Sequence, residues 1–347
     1  MPNRSYNNLG YRIALAGGFQ IRDGIAIESG TGFPKSGTSG TTVREGFGAP
    51  PGSIYVDETN DVVFVNEGTA TSPYWTPVSF TQRGLFGWYT DFTTGTSVES
   101  PLTEGTPNTF VQALGKTIAD TAATKTLSNG IRVHGQGIEQ TDSGLTVAMT
   151  DQGAVGSLIA TNEDAHTAVI SVGNGTTPVF QPDQNGTIVV DANVAISSLT
   201  ASAAFLGLCG SAADALDPIM TYSGTTISFA ATIGDDVAGL AYSSELTDND
   251  RWFAPHDKAN ANASIATTAT GVDTGIDLVA GTYQRLRVEC DADGVVRVFI
   301  DKVLISTFAA ATLDVDEEVH PIFYVESSTT ATKTATLKHF AAWGKRA

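Results

Sequence analysis

Thr282 to Phe308 reads TYQRLRVECDADGVVRVFIDKVLISTF, and this stretch decides the fold. Leu286, Val288 and Cys290 alternate with Arg285, Arg287 and Glu289, the two-residue period of a strand with one buried face. Asp291-Ala292-Asp293-Gly294 supplies a turn, and Val296, Val298 and Ile300 resume the alternation. A second turn at Asp301-Lys302 leads into Val303-Leu304-Ile305. The reading is a three-stranded antiparallel meander. Leu286, Val288 and Cys290 are expected in the core, and Arg285, Arg287 and Glu289 toward solvent or a neighbouring subunit.

The same signals recur on both sides of the meander. Strands are expected at Ile188–Ile196, Ala203–Leu208, Thr226–Ile233, Val237–Tyr242, Pro321–Val325 and Thr334–Trp343, with turns at Asn129-Gly130, Asn174-Gly175 and Asn185-Gly186. Only Val111–Ala123 and Ser211–Pro218 read as short helices. Residues 107–347 are therefore expected to form a large antiparallel β-sandwich of the jelly-roll type. Upstream, residues 51–106 read as a small β-hairpin region: Ile54 to Val56, a turn at Asp57 to Asp61, and a return at Val62 to Asn66, with Trp75 covering one face. Its remainder reads as irregular, with an aromatic knot at Phe86, Trp88, Tyr89 and Phe92. Residues 1–50 are Gly-rich and read as an extended arm that orders against a partner surface. The chain as a whole is all-β.

The formal net charge of the 347-residue chain is −18, yet residues 1–50 carry Arg4, Arg12, Arg22, Lys35 and Arg44 against three acids. An acidic body repels nucleic acid and anionic membranes, so neither is an expected partner. Cys209 and Cys290 lie in apolar strand patterns without a CxxC or a nearby His, and read as buried thiols. No stretch has the roughly 18–20 apolar residues of a membrane span. Synthesis and folding in a cytoplasm without processing are the expectation.

Two regions resemble known proteins. GAPPGSIYVDETNDVVFVNEGTATSPYWTPV, from Gly48, resembles a short hairpin segment near the start of many tailed-bacteriophage virion proteins. The stretch from about Gly130 to Trp343 resembles the concanavalin A-like, lectin-type jelly roll of phage structural proteins. It is carried by GIRVHGQGIEQTDSGLTVA, GVDTGIDLVAGTYQRLRVECDADGVVRVFIDKVL and HPIFYVESSTTATKTATLKHFAAW. The resemblance implies a capsid decoration (cement) or head-fibre subunit, a homotrimer, located on the virion surface with the major capsid protein as partner. In that setting the arm would supply the capsid contacts, with Arg4, Tyr11, Arg12, Ile13, Phe19, Arg22 and Arg44 as candidates. The alternative is a tail-fibre or head-fibre lectin that recognises host-surface glycans.

Catalytic patterns are sparse. His134, His166, His256, His320 and His339 are scattered, without HxH or HExxH spacing, and read as surface or strand-end residues. There is no GxSxG elbow, and Gly115-Lys116-Thr117 lacks the upstream glycine of a P-loop because Phe110 stands there. Glu317 and Glu318 are adjacent and would point to opposite faces of a strand, so no carboxylate pair reads as a glycosidase. The expectation is a protein that is not an enzyme and needs no cofactor. Asp291 with Asp293, and Asp314 with Asp316, are weak calcium candidates read first as turns and acidic loops. For glycan binding, Trp252 is the candidate stacking platform, with Asn249, Asp250 and His256 beside it.

Overall fold

A computed structural model describes residues 12–14, 18–20, 25–37, 49–92, 124–126, 131–136, 144–150, 153–160, 164–172, 179–210, 220–229, 236–258, 263–264, 271–329 and 331–346. Both expected helices, and the turns at Asn129 and Asn174, lie outside these residues. Within them the regular secondary structure is strand except for one four-residue helix at Pro182–Asn185. The Asn185-Gly186 signal ends this helix, with Gly186 at φ 64°.

Two antiparallel sheets stack face to face as a jelly-roll sandwich. The first runs Gly144–Thr150, Gly153–Ala160, Lys333–Lys345, Ile188–Ile196, Gln284–Cys290, Val296–Ile300 and Val303–Phe308. The second runs Asp273–Asp277, Arg251–Phe253, Val237–Ser243, Ser202–Cys209, His320–Ser328, Asp164–Val172, Ile131–Gln136 and Thr124–Thr126. Between them lies one apolar core, which includes Val190, Leu286, Val288, Cys290, Leu206, Leu240 and Phe323. The meander has the expected register, with Leu286 opposite Ile300 and Val288 opposite Val298. Its second turn is a two-residue hairpin in which Asp301 and Lys302 both adopt positive φ, 49° and 68°. That is the primed geometry matching the strand twist.

Each outer face of the sandwich is covered by a smaller sheet. Met220–Ser223, Thr226–Phe229 and Ala263–Ser264 lie over the second sheet, where Tyr222, Ile227 and Phe229 pack on Phe205, Phe253 and Tyr324. Over the first sheet lies a six-stranded sheet in the order Arg12–Ala14, Gly18–Gln20, Ala26–Gly30, Ile54–Asp57, Val62–Asn66 and Trp75–Pro77. Its Phe33, Tyr55, Phe64 and Trp75 pack with Val189, Ala341 and Trp343 of the sandwich.

This cover differs from the sequence expectations in three ways. Ala26–Gly30 pairs in parallel with Ile54–Asp57, so part of the expected arm is built into the chain's own sheet. Leu85–Thr90, read as irregular, extends the sandwich by pairing with Phe340–Lys345. Its aromatic spacing hid a strand, because Phe86 and Trp88 pack on the sandwich core while Tyr89 is exposed. Finally, Arg287 and Glu289 face away from the core as expected, but they are buried under the N-terminal sheet rather than exposed. The alternation specifies a face; it carries no information on what covers that face.

Candidate functional site: the charged seam and its clefts

Four adjacent strands of the first sheet place polar side chains on the covered face: Asp191, Arg285, Arg287, Glu289, Arg297 and His339. Asp191 is the hub. Its carboxylate accepts from Arg287 Nε at 2.7 Å, Arg285 Nε at 3.0 Å, the Tyr74 hydroxyl at 2.5 Å and His339 Nε2 at 2.6 Å. Burial opposes ionisation of Asp191, but Arg287, then Arg285 and His339, hold its carboxyl well below the usual carboxylate range.

Arg287 ties the sheets together. Its Nη1 donates to the Trp75 carbonyl at 2.8 Å and its Nη2 to Thr76 Oγ1 at 3.0 Å, both on the N-terminal sheet. The guanidinium lies 3.5 Å from the Tyr74 ring centroid and 5.0 Å from that of Trp343. Glu289 bridges Arg287 and Arg297, and Arg297 grips Asp291 at 2.7 and 2.9 Å. Lys35, from the N-terminal module, reaches Asp291 at 3.6 Å. Arg285 and Lys302 both pair with Glu67. Chemically, the seam neutralises its own charges while fastening two sheets. Asp191 and His339 have the spacing of a base and its orienting carboxylate, but no hydroxyl or thiol bonds to His339 among the described residues.

The seam opens at one edge into a cleft of about 380 Å³, lined by Glu67, Val78, Phe80, Tyr89, Arg285 and His339 among others. Tyr89 is 42 % exposed there, stacked on Phe80 at 5.1 Å and near-parallel to His339 at 6.2 Å. A second cleft, about 450 Å³, lies at the loop end of the other large sheet and includes Thr200, Ser244, Glu245, Asn249, Asp250 and Thr329.

The expected glycan residues are dispersed. Asn249 and Asp250 line the second cleft, but Trp252 is fully buried in the core, its Nε1 donating to Gln284 Oε1 at 2.9 Å. It has no face to offer a sugar. His256 packs on Phe308 at 4.3 Å, and burial lowers its pKa against the pull of Asp257. Nor are all the histidines peripheral: His166 and His320 are buried, and His339 belongs to the seam.

The calcium candidates do not converge on a cation. Asp291 is held by Arg297 and Thr187, with burial opposed by Arg297 and Lys35 so that its pKa is lowered. Asp293 lies in the hairpin turn, Asp314 pairs with Lys258 at 3.1 Å, and the Asp316 carbonyl accepts from Gln181. Among the described residues no three His, Cys, Asp or Glu side chains are grouped to hold a metal. Cys209 and Cys290 form no disulfide and lie buried in separate clusters, and burial pushes the Cys290 thiol up. Of the candidate attachment residues, Arg12 and Ile13 lie on Arg12–Ala14 and Phe19 on Gly18–Gln20. Arg4, Tyr11, Arg22 and Arg44 lie outside the described residues. No helix among the described residues is long and apolar enough to cross a membrane, which says nothing of a β-barrel.

No family model matches this chain, and no curated protein does. Among solved structures, it is similar to a protein of unknown function from Shewanella oneidensis MR-1, at 14 % identity and TM-score 0.44, covering 76 % of this chain and 90 % of that one. It is also similar to an endo-1,3-beta-glucanase from Streptomyces sioyaensis, at 11 % identity and TM-score 0.40, covering 68 % and 93 %. A third is the carbohydrate recognition domain of Emp46p, at 6 % identity and TM-score 0.37, covering 58 % and 86 %. These likenesses carry no activity or ligand to this chain.

Proposed function

We propose that this chain is a non-enzymatic virion structural subunit, a capsid decoration or head-fibre protein that attaches through its N-terminal sheet and projects its sandwich outward. One observation carries the reading. The N-terminal sheet is fastened to the sandwich where Tyr74 bonds to Asp191 and where Arg287 bonds to Trp75 and Thr76, while its far edge ends in the short strands Gly18–Gln20 and Arg12–Ala14. The outer backbone edge of Arg12–Ala14 has no partner strand among the described residues, so a capsid strand can add to it by main-chain hydrogen bonds. The phage-like segment supplies three further strands of that sheet, Ile54–Asp57, Val62–Asn66 and Trp75–Pro77, and a homotrimer suits a projecting subunit.

The test is binding to capsids assembled without this protein, comparing the full chain with a deletion of residues 1–24. The full chain should bind and the deletion should not. Equal binding by the deletion removes the attachment role; no binding by the full chain removes the virion reading.

A second reading, recognition of host glycans, is favoured by the exposed Tyr89 in a cleft rimmed by Arg285, Glu67 and His339. Retention on a glycan array that disappears with Tyr89→Ala would support it, and retention unchanged in that variant would not.

A further inference from the structure

Glu28 differs from the buried acids of the seam. Asp191, Glu289 and Asp291 each have a guanidinium partner, whereas Glu28 has no ion-pair partner among the described residues. It is 7 % exposed, and its Oε2 is buried without a hydrogen bond. It also occupies a structural junction. Ala26–Gly30 joins the N-terminal ribbon to the hairpin, with Ile27 opposite Ile54, Glu28 opposite Tyr55 and Gly30 opposite Asp57.

Among the described residues no cation offsets a negative charge at Glu28, and burial alone acts on its carboxyl. Gly18–Gln20 contains no ionisable side chain. On the other side, the Tyr55 hydroxyl donates to the Gly32 carbonyl at 3.0 Å, and Asp57 accepts from the amides of Gly32, Thr59 and Asn60. Lys35, seven residues along the chain, is directed to Asp291, and Arg22, six residues before Glu28, lies outside the described residues. A buried carboxyl without a donor is stable only as the neutral acid.

We propose that Glu28 makes the N-terminal sheet a pH-responsive joint, tight while its carboxyl is neutral and loosened when it ionises. Burial raises this carboxyl from 4.5 to about 7, which places the transition near neutrality. The sign follows from linkage. The folded form holds the proton more tightly than the unfolded chain, so stability of the joint is complete below about pH 4.5, falls as pH rises toward about 7, and then levels off. The joint lies at the proposed attachment end, but it is a property of the isolated chain and its test needs no capsid.

The test is amide hydrogen exchange by mass spectrometry on the full chain at about pH 5.5 and about pH 8.5, corrected for intrinsic exchange. Peptides from residues 12–30 are compared with meander peptides from 284–308, in wild type, Glu28→Gln and Glu28→Met. In wild type the protection of 12–30 relative to 284–308 should fall about tenfold or more between the two pH values. In either neutral variant that folds, the ratio should stay level. A level ratio in wild type, or an equal fall in a folded variant, overturns the proposal.

Discussion

Replacing Asp191 by Ala should loosen the seam more than any other single change on that face. Four donors converge on this carboxylate: Arg285, Arg287, Tyr74 and His339. Two of them keep a carboxylate, since Arg285 retains Glu67 and Arg287 retains Glu289. The fully buried Tyr74 hydroxyl does not, and an orphaned buried donor costs about 1–3 kcal/mol. Breaking one side of a buried ion pair costs about 3–5 kcal/mol. With Arg287 only partly compensated, we expect a loss of about 4 kcal/mol, and about half of that for Asp191→Asn, which keeps one acceptor oxygen. The paired apolar replacement Asp191→Leu with Arg287→Met should recover much of the loss, because it removes both desolvated charges together. Urea unfolding followed by tryptophan fluorescence is a direct assay, since Trp75 and Trp343 both contact Arg287. A loss below about 1 kcal/mol for Asp191→Ala would refute the hub, because the seam would then behave as a solvent-screened surface pair.

Three further outcomes follow from the geometry. Asp191, Asp291 and Glu67 all have lowered pKa values, so their stabilisation is present above the unfolded carboxylate pKa near 4 and is lost as pH falls through the lower folded values; acid titration by circular dichroism should show it. Trp252→Ala should cost about 3–5 kcal/mol in thermal or urea unfolding as a core cavity. Any glycan retention measured on the folded remainder of that variant should be unchanged. Gly239→Ala should cost about 1–3 kcal/mol, since an added Cβ would lie 2.3 Å from the Leu206 carbonyl and 2.4 Å from the Phe205 ring. A neutral Gly239→Ala would mean that strands Ser202–Cys209 and Val237–Ser243 are not packed as described.

The sequence by itself determined the local elements. The two-residue period placed Leu286, Val288 and Cys290 on the core face, and Ile188–Ile196 and the hairpin at Ile54–Asn66 were legible from the same pattern and their turns. Backbone geometry alone decides which side chains share a face of a strand, so this information is local. Tertiary structure decided what covers each face. Arg287 and Glu289 read as facing solvent or a neighbouring subunit because charged residues usually lie at the surface. Their partners on the N-terminal module lie far away in sequence, with Tyr74 separated from Asp191 by 117 residues and Trp75 from Arg287 by 212. The same limit hid the burial of Trp252, whose neighbours look like a surface turn, and the strand at Leu85–Thr90, whose partner is the chain's last strand. Periodicity carries no record of contacts across such distances, so the charged seam became visible only once the sheets were stacked.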